Sequence, residues 1–451
     1  MQAWLPRLHR APGNGVGSTA CARIARRAWL VGMRALVCDA SVPRQVVSSL
    51  LGRLDKRFFL GPFSTTTLKE IPEPSFPGDG WLVLRTRLCG ICGSDYKQIF
   101  LNGSMDNPMT ALISFPQVLG HEVVGTIERV GPGVRTRRVG ERVVLNPWLS
   151  CGPRGITPPC PECQQGQYSI CRNFARGVIP PGIHTGNSSA ATGGFAPFVP
   201  AHESMCIPIP DEVKDEEAVL ADPFSVSMHA VLKRPPASGA PVLVYGCGTL
   251  GLLTIAILRL LHPTSRVLAV ARFPHQQALA ERFGADVVVP HQPTKDIVTR
   301  VGAETGAQVL TPWFGMPWLH GGGVDVVYDT VGYPETVEVG IRIAASRGAL
   351  VITGVEMPRR FEWTPLYFKE IAVIGSNAFG VEDFEGERRH SMEIYLDLVR
   401  QRRIDVTPIV THRYLLDQYR EAFLACGNQS TSGAVKVLFT FPHDGSGATG
   451  S

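Results

Sequence analysis

The sequence predicts a two-part α/β chain. A β-rich, barrel-like part runs from Met33 to about 210, and a parallel sheet wound with helices occupies about 223–376. Three observations carry this. Short β-rich runs broken by Gly and Pro fill the first part. Apolar strand-like runs alternate with helical segments in the second. A Gly-rich turn joins the first of those runs to its helix. Alternation of strands and helices implies βαβ units and a parallel sheet.

In the first part WLVLRTRL (81–88), EVVGTIERVG (122–131) and ERVVLNPW (141–148) read as strands, with turns such as VGPGV at 130–134 between them. In the second, APVLVYG (240–246) is a buried strand and a helix follows at about 249–261. RVLAVA (266–271), a helix near 275–284 and DVVV (286–289) come next. GVDVVYDTVG (323–332), a helix near 335–346 and ALVITGV (349–355) complete the alternation. The stretch 377–441 holds helices at 390–402 and 415–426 and a closing strand, AVKVLFTF, expected to rejoin the first part. The implied division is 1–32 extension, 33–222, 223–376, 377–441 and a Gly/Ser-rich tail, 442–451. Residues 1–32 contain five Arg and no acid, which suits a transit peptide, a disordered extension or an upstream start with Met33 opening the fold.

Composition excludes several classes. Hydrophobic residues make up 44% and charged residues 18%, the balance of a soluble globular chain. The net charge of +5 forms no stripe and gives no sign of nucleic-acid binding. The longest apolar run, LGLLTIAILRLL at 250–261, includes Arg259 and is too short to span a bilayer, so no membrane partner is expected. Four of 11 Cys crowd into 151–171, which points to metal rather than disulfides and to a reducing, cytoplasmic compartment.

Gly246-Cys247-Gly248-Thr249-Leu250-Gly251 fits G-x-G-x-x-G directly after a strand and at the start of a helix. Gly246 permits the tight turn, Gly248 lets a pyrophosphate approach the backbone, and Gly251 lets helix and strand pack closely. The helix N-terminus offers free N–H groups to the phosphates. The second strand ends in Ala271 and Arg272 where NAD sites place an acid on the ribose 2′-hydroxyl. With no carboxylate to repel a 2′-phosphate and Arg272 to pair with one, NADP is favoured over NAD. A solvated Arg272 is the alternative.

Gly90-Ile91-Cys92-Gly93-Ser94-Asp95 and Gly120-His121-Glu122, followed by Gly125, are the second pair of motifs. With the nucleotide motif they make residues 33–441 resemble the zinc-containing medium-chain dehydrogenase/reductase family of alcohol, sorbitol and threonine dehydrogenases. The resemblance implies a GroES-like catalytic domain, a Rossmann domain, and hydride transfer between an alcohol or carbonyl substrate and NAD(P). Thiolate and imidazole suit a catalytic zinc with one open position, which acidifies a bound alcohol. Cys92 and His121 are the first two ligands. The family's third ligand precedes the nucleotide domain, where LADPFSVSMHAV (220–231) places Asp222. Glu122 competes for that place, and an N-cap role is the plain alternative for Asp222. Ser94 is expected on the substrate oxygen and Asp95 behind His121. Lys97 stands where the family commonly has His, either as a proton relay or as a solvated or cofactor-facing cation.

Cys160-x2-Cys163-x7-Cys171 matches three ligands of the family's structural zinc. The fourth, Cys151, lies nine residues ahead of Cys160 rather than three, with GPRGITPP between them. Segments 97–118, 176–194 and 311–321 read as insertions that shape specificity, a lid or a subunit contact. The family also suggests a homodimer or homotetramer. Two other functions compete: a zinc-free enone or quinone reductase of the same superfamily, and a non-enzymatic NADP(H)-binding protein.

Overall fold

The computed structural model describes residues 32–103, 107–354 and 362–442. The extension before residue 32, the tail after 442 and part of the 97–118 segment lie outside the described residues.

A seven-stranded sheet forms the first part. Its main path runs Val410–Leu415, Lys436–Thr440, Trp81–Gly90, Glu122–Val130, Arg142–Leu145, Cys206–Pro208, with Phe198–His202 also paired to Trp81–Gly90. The long Trp81–Gly90 strand is largely buried because it is flanked on both edges and covered on both faces. Trp81 anchors it, with its indole N–H donating to the Pro153 carbonyl at 3.2 Å. The closing strand thus pairs with the first long strand of the chain.

Register positions the site. Gly90 faces Glu122 across one antiparallel ladder and Leu438 across the other. The chain therefore brings Cys92, His121 and Lys436 to the same end of the sheet, each within two residues of that rung.

The second sheet has six parallel strands, Val242–Tyr245, Val267–Ala271, Val287–Pro290, Val324–Asp329, Ala344–Ile352 and Ala372–Gly375. Their spatial order, counted along the chain, is 3-2-1-4-5-6, the doubly wound Rossmann order. VLVY and VLAVA are buried at every position, as strands covered on both faces must be. The fold class expected from the sequence is the one observed.

Several details differ from the expectation. The helix expected at 335–346 spans Pro334–Ile343, and the following strand begins at Ala344. A helix over Val42–Gly52 sits in a stretch read as strands and turns. It buries Ser48 and turns Val42, Val46 and Leu50 outward, so its apolar period marks solvent rather than core. The 311–321 insertion is the end of a hairpin between Gln308–Leu310 and Trp318–His320. Trp318 packs edge-on against Phe368 at 5.6 Å, whereas Trp313 and Phe314 are exposed at the tip. Among the described residues no helix is long and apolar enough to cross a membrane.

Candidate active site

Cys92 precedes the short helix Gly93–Ile99, and its backbone N–H donates to the Asp95 carboxylate at 3.0 Å. The other Asp95 oxygen accepts from the Gly120 backbone N–H at 3.3 Å. One buried carboxylate thus ties together the two segments that carry Cys92 and His121. The His121 Nδ1 lies 3.7 Å from Asp95, an ion-pair distance beyond hydrogen-bond length. Asp95, expected behind His121, makes no hydrogen bond to its ring in this structure and reaches it through the Gly120 backbone and through charge. Burial raises the Asp95 carboxyl despite the opposing pull of His121. Burial would lower His121, but the charges of Asp95 and Cys92 outweigh it and hold the imidazole well above its usual value.

Donor atoms of Cys92, His121 and Glu122 lie within 4.8 Å of one another. Glu122 is not free, however. The Lys436 ammonium donates to both its oxygens, at 2.7 and 2.6 Å, and to the Ile91 carbonyl at 3.2 Å. Both side chains are fully enclosed. A Cβ on Gly90 would stand 1.9 Å from the Glu122 carboxylate, so only glycine leaves room for this pair.

Asp222 approaches from the helix Ala221–Lys233. It is the second residue of that helix and makes no cap hydrogen bond, which removes the N-cap alternative. Its Oδ2 is buried without a hydrogen-bond partner among the described residues, as is the His121 Nδ1. Burial pushes the Asp222 carboxyl up to about 7, with His121 pulling it down and Glu122 adding to the rise. Asp222 lies outside the tight trio, yet it is the carboxylate with an uncommitted oxygen.

Ser94 is exposed one turn from these groups. The Lys97 ammonium sits 5.9 Å from the centre of the Tyr333 ring, on the nucleotide side, which favours the cofactor-facing reading over a buried relay. His184 went unnoticed within its insertion. Its ring packs 4.6 Å from that of His121 and 6.0 Å from Trp148. Burial and the His121 charge push its pKa down to about 3.

The nucleotide turn follows the strand Val242–Tyr245. Gly246 has φ +91°, and a Cβ there would meet Val331 at 2.4 Å. A Cβ on Gly251 would stand 1.8 Å from the Gly246 carbonyl oxygen, whereas the space beside Gly248 is open. Gly248 caps the helix Thr249–Leu261, and the Thr249 hydroxyl donates to the Val435 carbonyl at 3.2 Å. That bond links the cofactor turn to the residue beside Lys436. The Leu250 carbonyl accepts from Ser227, so its main chain is held by the Asp222 helix. Arg272 is exposed at the end of the second strand, stacked over Phe273 at 5.3 Å.

Cys151, Cys160, Cys163 and Cys171 bring their sulfurs within 4.8 Å of one another. None forms a disulfide; Cys151 and Cys171 are 3.6 Å apart, far beyond an S–S bond. Backbone N–H groups of Cys160 and Asn173 and the Asn173 amide donate to Cys151 and Cys171 at 3.2–3.3 Å. Such donors stabilise thiolates, the form that binds metal. Within the inserted loop, Arg154 is wholly buried beside these sulfurs and donates to five backbone carbonyls.

Comparison with known proteins agrees with the geometry. Residues 78–211 match the alcohol dehydrogenase GroES-like domain and 249–391 match the zinc-binding dehydrogenase family. The chain belongs to the zinc-containing medium-chain dehydrogenase/reductase family. It is 28% identical over 359 residues to an L-idonate 5-dehydrogenase of Vitis vinifera, covering 79% of this chain and 87% of that protein. A Sinorhizobium meliloti zinc-binding dehydrogenase bound to NADP superposes with a TM-score of 0.66 at 25% identity, covering 91% and 99% of the two chains. An Escherichia coli alcohol dehydrogenase complexed with NADH superposes at 0.68 and 22% identity, again covering 91% and 99%. The protein is an NAD(P)-dependent oxidoreductase of alcohols and their carbonyl products. The non-enzymatic and zinc-free readings fall with that membership.

Proposed function

We propose that this enzyme interconverts a polyhydroxylated secondary alcohol and its ketone, using NADP in preference to NAD and a zinc ion held by Cys92, His121 and Asp222. The observation that carries the ligand set is the contrast between two buried carboxylates. Glu122 has both oxygens bonded to Lys436, while Asp222 keeps a buried Oδ2 without a partner among the described residues. Sulfur, nitrogen and oxygen donors in one buried cluster suit zinc. A zinc ion held there would polarise the alcohol oxygen and lower its pKa. Ser94 hydrogen-bonds the substrate hydroxyl and relays its proton, passing its own hydroxyl proton to solvent, to which it is exposed. Asp95 fixes Cys92 and His121 through backbone bonds, and Lys97 faces the cofactor. Glu122 remains the competing third ligand because it lies closer to Cys92 and His121.

The turn from Gly246 to Gly251 holds the cofactor's pyrophosphate at the helix N-terminus. Arg272, with no carboxylate at the strand end, supports the choice of NADP. Cys151, Cys160, Cys163 and Cys171 hold a second, structural zinc. The polyol class follows the L-idonate 5-dehydrogenase relative. We assign 33–222 with 377–441 to the catalytic domain and 223–376 to the nucleotide domain, in a cytoplasmic homodimer or homotetramer.

Metal analysis with Cys92→Ala tests the reading. The purified enzyme is expected to carry about two zinc ions per chain. The variant retains one, binds NADPH unchanged and turns over no alcohol. Undiminished turnover in that variant refutes the site.

A further inference from the structure

We propose that His184 selects substrates that carry a second hydroxyl on the carbon next to the reacting one. The inference rests on the reading of Cys92 and His121 as the reaction centre, and it names a residue that neither motif contains.

The loop around His184 is fixed. Arg154 donates to the carbonyls of Arg176, Ile179, Pro180 and Gly182 at 2.6–3.3 Å, which pins its first half. The Asn187 side-chain oxygen accepts from the backbone N–H of Ile183 and of His184 at 2.8 and 3.0 Å. The Thr185 N–H donates to the Pro147 carbonyl at 2.8 Å. A side chain on so constrained a backbone is positioned rather than adaptable.

The ring has one defined acceptor. Its Nδ1 lies 2.7 Å from the Thr185 carbonyl oxygen. A carbonyl oxygen can only accept, so Nδ1 carries a proton, which leaves Nε2 as the ring's other hydrogen-bonding nitrogen. Among the described residues Nε2 has no hydrogen-bond partner, and His184 is only partly buried. Its ring packs 4.6 Å from that of His121, beside the metal-ligand cluster. An unpartnered ring nitrogen there matches a hydroxyl, which can donate to it or accept from it. A hydroxyl on the adjacent carbon supplies that partner, whereas a simple secondary alcohol leaves the nitrogen unpaired. Sites that lose a hydrogen-bond partner discriminate more sharply than apolar pockets do.

The test compares wild-type holoenzyme with His184→Phe, which keeps ring volume without a hydrogen-bonding atom, and His184→Gln, which restores a hydrogen-bonding side chain. Substrates are 2,3-butanediol and 2-butanol with the preferred cofactor. Zinc per chain and NADPH affinity are measured on each protein, and diol binding to the enzyme–cofactor complex is measured by calorimetry. The expected result for His184→Phe is a rise of about tenfold in KM and in diol dissociation constant. Its kcat, its zinc content and its activity on 2-butanol stay within twofold. His184→Gln recovers part of the loss. Equal losses on both substrates, or loss of zinc, overturn the proposal and make His184 a packing residue. A wild-type enzyme with two zinc ions that oxidises neither alcohol refutes the reaction-centre reading itself, and this proposal with it.

Discussion

Lys436→Met is the most demanding perturbation of the site. The Lys436 ammonium and the Glu122 carboxylate are 3% and 2% exposed, and three hydrogen bonds of 2.6–3.2 Å satisfy the ammonium. Removing it strands a carboxylate in a cavity that Gly90 already fits closely. Breaking a buried pair by deleting one partner costs about 3–5 kcal/mol. Total stabilities are about 5–15 kcal/mol, so the variant loses a large share. The assay is urea unfolding of the holoenzyme by Trp fluorescence, beside zinc content. Adding Glu122→Gln removes the stranded charge, and the double variant should recover more than half of the loss. A loss of less than about 1 kcal/mol in Lys436→Met, or a double variant no better than the single one, refutes the view that Lys436 neutralises Glu122. The cobalt-substituted enzyme gives an independent reading. If Lys436 keeps Glu122 from the metal, the single variant changes the visible spectrum and the double variant restores it.

Arg272→Ala weakens NADPH by at least tenfold more than NADH in fluorescence titrations; equal losses remove Arg272 from the 2′-phosphate. Arg154→Met leaves five carbonyls without their donor. It costs about 3–5 kcal/mol, and limited trypsin cleavage at the exposed Arg176 should rise sharply, while an unchanged digest excludes Arg154 as the loop's anchor. Hydrogen bonds from Arg85 hold the Glu128 carboxyl below its usual value. A depressed carboxyl contributes stability above the unfolded pKa and loses it as pH falls through the folded one. Both side chains are more than a third exposed, so Glu128→Gln costs only about 0.5 kcal/mol at pH 7. That difference in urea midpoint vanishes in acid, and a difference that persists there assigns it to packing.

What the sequence could show depended on how local the cause was. The turn from Gly246 to Gly251 is legible because strand, glycines and helix are contiguous, and the strain each glycine relieves arises within a few residues. The cysteine lobe is legible despite its stretched first spacing, since four sulfurs can converge across a loop of varied length. The Val42–Gly52 helix was not legible as such. Its apolar residues recur at helical spacing but face outward, so a reading that equates apolar period with core has nothing to place there. Lys436 was the hardest to see. It lies 314 residues from Glu122 in sequence and becomes its partner only through two antiparallel registers that meet at Gly90. The ligand motifs could therefore be found while the choice between Asp222 and Glu122 could not, because the residue that commits Glu122 belongs to the last strand of the chain. His184 follows the same logic: neighbouring residues set its tautomer, but its place beside His121 depends on Arg154 and Asn187 folding a loop that carries no motif.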